Sequence, residues 1–225
     1  MRSDRIPKVI PVFPLTGSLL LPGNWLPLNI FEPRYCNMVE DALAAGRHIG
    51  MIQPTVPRQD NWLEAGIGAD DNPLLYTIGC AGRIEQCEPQ PDGRFVIMLK
   101  GVRRFRVREE LPLSRGYRRV AADYGEFTGD LLDLETALDP ARMINAVRTF
   151  SEKHGLSFDW DVLGSLSGVA LLNGLAVALP FRPEEKQALL EASGIAEREE
   201  LILTLMGMGI EPMDADDYYT PPILN

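Results

Sequence analysis

Residues 6–35, IPKVIPVFPLTGSLLLPGNWLPLNIFEPRY, set two short apolar segments, Val9–Phe13 and Leu26–Ile30, on either side of a loop carrying Pro14, Gly17, Pro22 and Gly23. Proline and glycine at that density interrupt a helical period, so the chain is expected to open on two strands. A helix pattern follows at once. Pro33 fits a first helical turn, Tyr35, Met38, Val39, Ala42 and Leu43 line one face, and Gly46 is placed to end it, which predicts a helix over Pro33–Ala45.

The rest of the first half reads as strands. Ile49–Gln53 is a short apolar run, Leu75–Cys87 alternates raggedly, and Phe95–Leu99 is dense and apolar. Between the last two, Asp92-Gly93 supplies the positive φ that a tight hairpin needs. Arg104–Arg108 alternates polar and apolar with period two, which predicts Arg104, Arg106 and Arg108 on a solvated face and Phe105 and Val107 beneath. Tyr117–Tyr124 fits one more strand. The second half changes period: helices are expected over Pro140–His154, Asp159–Leu166, Val169–Leu179, Pro183–Ala192 and Glu197–Met208. This order gives an α+β fold: a β-rich subdomain over 1–124, a linker over 125–139, a helical bundle over 140–210, and a flexible tail over 211–225. The linker and tail are acidic, and the tail adds paired prolines. Residues 54–73, with Trp62 and three prolines, form a long loop.

At 225 residues the chain can bury about 70–75% of its unfolded surface. No apolar run approaches the roughly 20 residues of a membrane span, and the N-terminus lacks a signal-peptide pattern. The three cysteines, Cys36, Cys80 and Cys87, have no C-x-x-C spacing and fit reduced thiols, so a cytoplasmic setting without membrane contact is expected. The formal charge of −10 opposes general nucleic-acid binding. Its distribution is uneven, because residues 100–120 hold eight basic side chains.

The string PVFPL…LP…LPLNIFEPRY, then LLYTIGCAG, the turn QPDGRF and LKGVRRF, resembles in order the elements of the N-terminal substrate-binding domain of Lon proteases. The helical half is similar as well, with an apolar helix ending at Leu179-Pro180 followed by PEEKQALL. The resemblance covers about residues 6–208. It implies a PUA-like twisted β-barrel or sheet with one early helix, followed by a C-terminal helical bundle. It also implies a domain that contacts protein substrates. Lon proteases continue into an ATPase and a protease, and the expectation here is a freestanding domain lacking both.

Catalytic signatures are missing from the sequence. Gly-Lys never occurs as a dipeptide, so there is no phosphate-cradling P-loop. Gly164-Ser-Leu-Ser-Gly168 puts Leu166 where a nucleophile elbow needs serine. Ser151 and Lys153 stand two apart on a helix and diverge. His48 and His154 are far apart and fit cations near helix ends, and Cys80 and Cys87, seven apart on a strand, are expected on opposite faces of the sheet. Catalytic residues, metal ligands and cofactors are therefore all expected to be none. The leading expectation is a non-catalytic protein-binding module for unfolded or partner polypeptides, within a protease or chaperone system. The alternatives are an adaptor or scaffold and, from the basic stretch, a PUA-like RNA-binding protein. The candidate contact residues are Leu20, Leu21 and Trp25 in an apolar loop, and Trp62 in the long loop, because aromatic anchors dominate recognition surfaces.

Overall fold

The computed structural model describes residues 6–55, 73–131 and 138–208. Most of the long loop (with Trp62), residues 132–137 of the expected linker and the acidic tail lie outside them. Six strands form one sheet: β1 (Val9–Pro14), β2 (Trp25–Ile30), β3 (His48–Ile52), β4 (Ile78–Pro89), β5 (Phe95–Ser114) and β6 (Tyr117–Asp123). Their order is β2-β5-β4-β3-β1-β6, and β5 also pairs with β6. That last pairing closes β5, β4, β3, β1 and β6 into a five-stranded barrel, with β2 appended to the first half of β5. Only β1 and β3 run parallel.

Two segments expected as separate strands are one strand of 20 residues, β5. The register explains why its pattern looks broken. Gly101 pairs with Gly82 and Arg103 with Ala81, which leaves Val102 as an extra residue. A one-residue bulge swaps the two faces of a strand. Ile97 and Leu99 therefore face the helical side, whereas Phe105 turns into the barrel. There Phe105 packs with Ile10, Val12, Ile52, Ala81, Val120 and Ala122. Its ring occupies space that a Cβ on Gly50 or Gly79 would fill, at 2.9 and 2.7 Å.

A second shift leaves Glu85 unmatched on β4. It puts Cys87 on the same side as Cys80, both against the larger core, so the expectation of opposite faces is corrected by a bulge. His48, expected as a helix-end cation, instead opens β3 and is buried.

Helix α1 (Pro33–Ala44) covers the outer face of β1, β3 and β6, burying Tyr35, Met38, Val39 and Ala42. Phe13 and Tyr35 meet edge-on at 4.3 Å between ring centroids. Residues Gly125–Leu131, expected within a linker, form a kinked 3-10 segment that buries Phe127. The bundle then comprises α2 (Pro140–His154), α3 (Trp160–Ser165), α4 (Gly168–Ala178), α5 (Pro183–Glu191) and α6 (Ile195–Met208). Asp139, Asp159 and Ser167 cap α2, α3 and α4 by accepting from first-turn backbone N–H groups. Gly155 closes α2 in the left-handed region at φ 65°. One apolar core runs from the outer sheet face and α1 through Met143, Phe150, Leu172 and Ile202 of the bundle.

Polar contacts fix how the bundle seats on the barrel. The bulge aims Arg104 at the helices, so it is 3% exposed rather than part of a solvated row. Its guanidinium donates to Asp130 at 2.8 Å and to the backbone oxygens of Leu190 and Ala192, and it stacks over Phe127. Gln53 donates to the Pro183 carbonyl and the Gln187 side chain, and Gln187 donates to the Ile78 carbonyl. Arg198 donates to the Leu189 carbonyl and to Asn173, and burial lowers its pKa to about 10.

Breaking a buried pair from one side strands the other charge at a cost of about 3–5 kcal/mol, against about 0–1 kcal/mol for an exposed pair. Asp130→Ala is therefore expected to lower the urea midpoint far more than Glu126→Ala, which removes the exposed partner of Arg106.

Candidate functional site

The face of the β2–β5–β4 sheet opposite the core leaves large apolar side chains exposed. Strand alternation builds it. Leu26, Leu28 and Ile30 of β2 point into the core, while Trp25 and Asn29 point to solvent. Register then sets Trp25 beside Lys100, Pro27 beside Met98, and Asn29 beside Val96. On β4 the partners of Lys100, Met98 and Val96 are Arg83, Gln86 and Glu88. Trp25 is 51% exposed, Val96 38%, and Phe31, just beyond β2, 47%. Such large side chains left in water as a group mark an interaction surface more often than three scattered ones would.

The face has a cationic end. Lys100 Nζ sits over the Trp25 ring, 5.2 Å from its centroid. Arg83, the next residue across the sheet, pairs with Glu85 at 3.2 Å.

Of the residues singled out from sequence, Trp25 lies on this face. Leu20 and Leu21 do not: they are 2% and 0% exposed, in the core. The floor beneath them explains this correction. A Cβ on Gly101 would lie 2.1 Å from the Leu21 oxygen, and one on Gly82 would lie 2.8 Å from Leu20 Cδ2. The two strand glycines thus open a trough into which the leucine loop folds. Backbone bonds from Gly23 N–H to Gly101 O and from Gly101 N–H to Asn24 O hold it there, and the Asn173 amide donates to the Pro22 carbonyl. Trp62 lies outside the described residues. Sequence reasoning missed Val96 and Lys100, whose signal was the alternation within Phe95–Lys100, hidden by its overall apolar character.

The arginines of the basic stretch are spoken for; its one lysine, Lys100, is not. Arg106 pairs with Glu126, Arg108 with Asp123, Arg115 with Glu40 and Asp41, and Arg118 with Glu110. Arg103 donates to the Tyr124 and Phe127 carbonyls. Arg104 thus leaves the solvated row expected from the sequence, and the other guanidiniums each face an acid or a carbonyl.

Reactive groups are few. Burial pushes the Cys80 thiol far up, away from the thiolate a nucleophile needs. Among the described residues no three His, Cys, Asp or Glu side chains converge as metal ligands. No described helix is long and apolar enough to cross a membrane. Ser151 donates to the Arg148 carbonyl within its own helix and is buried.

Lys186 is the one amine drawn toward neutral pH, lowered to about 8 by burial. It donates to the carbonyls of Gly17 and Val177 at 3.1 and 3.4 Å and has no carboxylate partner among the described residues. It ties α5 to the β1–β2 loop rather than facing a pocket.

A base whose pKa is lower folded than unfolded makes the native state bind fewer protons between the two values. Stability from this group therefore rises with pH from about 8 toward the ordinary lysine value of 10.5, by at most about 1.4 kcal/mol per pH unit. Buried tyrosines such as Tyr124, whose pKa is raised, pull the other way. The expected result is that the stability difference between wild type and Lys186→Met, followed by urea unfolding, shifts in favour of wild type from pH 8 to 10.

The family model for the ATP-dependent protease La (LON) substrate-binding domain matches residues 9–207. A Lon protease of Flavobacterium johnsoniae is 24% identical over 95% of this chain and 26% of its own length. Lon protease 2 of Myxococcus xanthus is 29% identical over 92% of this chain and 24% of its own length. The chain thus spans about a quarter of the length of these curated relatives. Among solved structures, a Lon N-terminal domain protein from Xanthomonas campestris superposes with a TM-score of 0.57 at 26% identity, covering 86% of this chain and 96% of that one. The N-terminal domain of the Mycobacterium avium complex Lon protease gives a TM-score of 0.60 at 16% identity over 88% of this chain and 98% of its own, a likeness of fold.

Proposed function

The chain belongs to the substrate-binding domain family of the ATP-dependent protease La (Lon), and from that premise we propose that it captures polypeptide segments on the Trp25 face of the β2–β5–β4 sheet, with no chemistry of its own. The observation that carries this reading is that Trp25 and Val96 are left exposed on the same outer face of the β2–β5–β4 sheet.

An extended or unfolded segment suits such a surface. It can lay alternate apolar side chains against the exposed ones, and the sheet beneath needs no rearrangement to receive it. Ordering a flexible chain offsets much of the gain from burial, so a single segment should bind modestly, as a first contact that must release its cargo. Partners are then unfolded or partly folded proteins. An adaptor bound to one folded partner would use the same face and differ in selectivity.

Trp25 tests the reading directly. Half-exposed and cation-stacked, it contributes little to the core, so Trp25→Ala is expected to leave the thermal midpoint within a few degrees, as for a surface change of about 0.5 kcal/mol. The same change should weaken capture of a reduced, carboxymethylated polypeptide about tenfold or more, as loss of an aromatic anchor does. Undiminished capture by Trp25→Ala would move the site elsewhere.

A further inference from the structure

The cationic end of the face narrows what it can hold. Lys100 is exposed and lies across from Trp25 on one side and Arg83 on the other. Among the described residues Lys100 meets no carboxylate, and its one recorded partner is the indole face. Arg83 shares Glu85 with no other cation, and its Nε is buried without a hydrogen-bond partner. Lys100, Arg83 and Glu85 thus leave one positive charge beside the aromatic anchor, in a chain whose formal charge is −10.

The contrast with the other basic residues is informative. Arg104, Arg106, Arg108, Arg115 and Arg118 each hold an acidic side chain. Lys100 has no such partner among the described residues and, unlike Lys186, Arg103 and Arg198, which donate to backbone carbonyls, it is exposed and stands beside Trp25.

We propose that the segment bound on this face is an extended polypeptide carrying an Asp or Glu two residues from an aliphatic or aromatic residue, so that both side chains face the sheet. Its apolar side chain packs on Trp25, and its carboxylate pairs with Lys100 at the Arg83 end of the row. The inference rests on the polypeptide-binding reading and adds a charge requirement to it. The cross-strand spacing supports the arrangement. Neighbouring strands lie about 4.8 Å apart, and alternate residues of an extended chain about 7 Å apart. A chain lying on the sheet can therefore set one side chain on the indole and a near neighbour on the ammonium. The contact is local, because the negative surface beyond is screened within about 8–10 Å at physiological salt. Two cations beside an indole are too few for a nucleic-acid backbone, which needs several neutralised phosphates.

The test compares two fluorescein-labelled peptides, identical except that a central leucine–serine–glutamate in one is leucine–serine–glutamine in the other, by anisotropy with the full chain. Wild type is expected to bind the glutamate peptide about 2–5-fold more tightly, the range of an exposed ion pair. Lys100→Gln should bring the two affinities together, and about 0.5 M salt should shrink the wild-type difference. Equal binding of both peptides by wild type, or a preference that survives in Lys100→Gln, overturns the charge requirement and leaves the polypeptide-binding reading intact. Binding of neither peptide, or a dimer that Trp25→Ala dissolves, overturns both.

Discussion

A single strand imposes most of the order in this molecule. β5 runs for 20 residues and hydrogen-bonds to β2 and β4 along its first half and to β4 and β6 along its second. A strand of that length cannot keep one face on one core, because sheet twist carries its ends around the barrel. The extra residue at Val102 resolves the conflict. Before it, Ile97 and Leu99 serve the core shared with the helices; after it, Phe105 fills the barrel and Arg104 turns outward to the bundle. Without the bulge, Phe105 would face the helices and Arg104 the barrel interior. Closure of the barrel, docking of the bundle and the outward face of β2 all depend on that one residue of slippage.

Docking of the bundle relies on satisfied polar groups as much as on apolar packing. Buried arginines are tolerated because each donor finds an acceptor: Asp130 and two carbonyls for Arg104, a carbonyl and an amide oxygen for Arg198. Gln53 and Gln187 join the loop after β3 to α5 and α5 back to β4. These contacts add modest net stability but strongly penalise any other seating of the helices, since each alternative would strand a buried donor.

Much of this was legible in the sequence. The helix over Pro33–Ala44 announced itself by a first-turn proline, an apolar face and a closing glycine, and α2 by Asp139, Pro140 and Gly155. These are local signals, and local signals survive folding. What the sequence hid was non-local. Nothing near Val102 or Glu85 marks a bulge, because a bulge is defined by the partner strand. Arg104 reads as one of three alternating surface arginines until Asp130 and the end of α5 arrive from elsewhere in the chain. The leucine loop reads as an exposed contact because its trough is made by Gly82 and Gly101, and a glycine within a strand does not say what approaches it. The sequence singled out Trp25, which is exposed, but its neighbours Val96 and Lys100 required the register of β2 on β5.

The two sides of the β2–β5–β4 sheet show how one short sheet can be both sealed and receptive. On the inner side, glycines let backbone and leucines press close, so that surface is closed by the chain itself. On the outer side the same strands present large apolar groups, an arrangement that invites association between sheets unless something opposes it. Lys100 does so, since a charge over the indole must be desolvated by any flat apolar partner that covers it. A partner that brings a carboxylate avoids much of that cost. On the proposed reading, the residue that guards the face against indiscriminate contact is also the one that selects what binds there, beside the exposed Trp25.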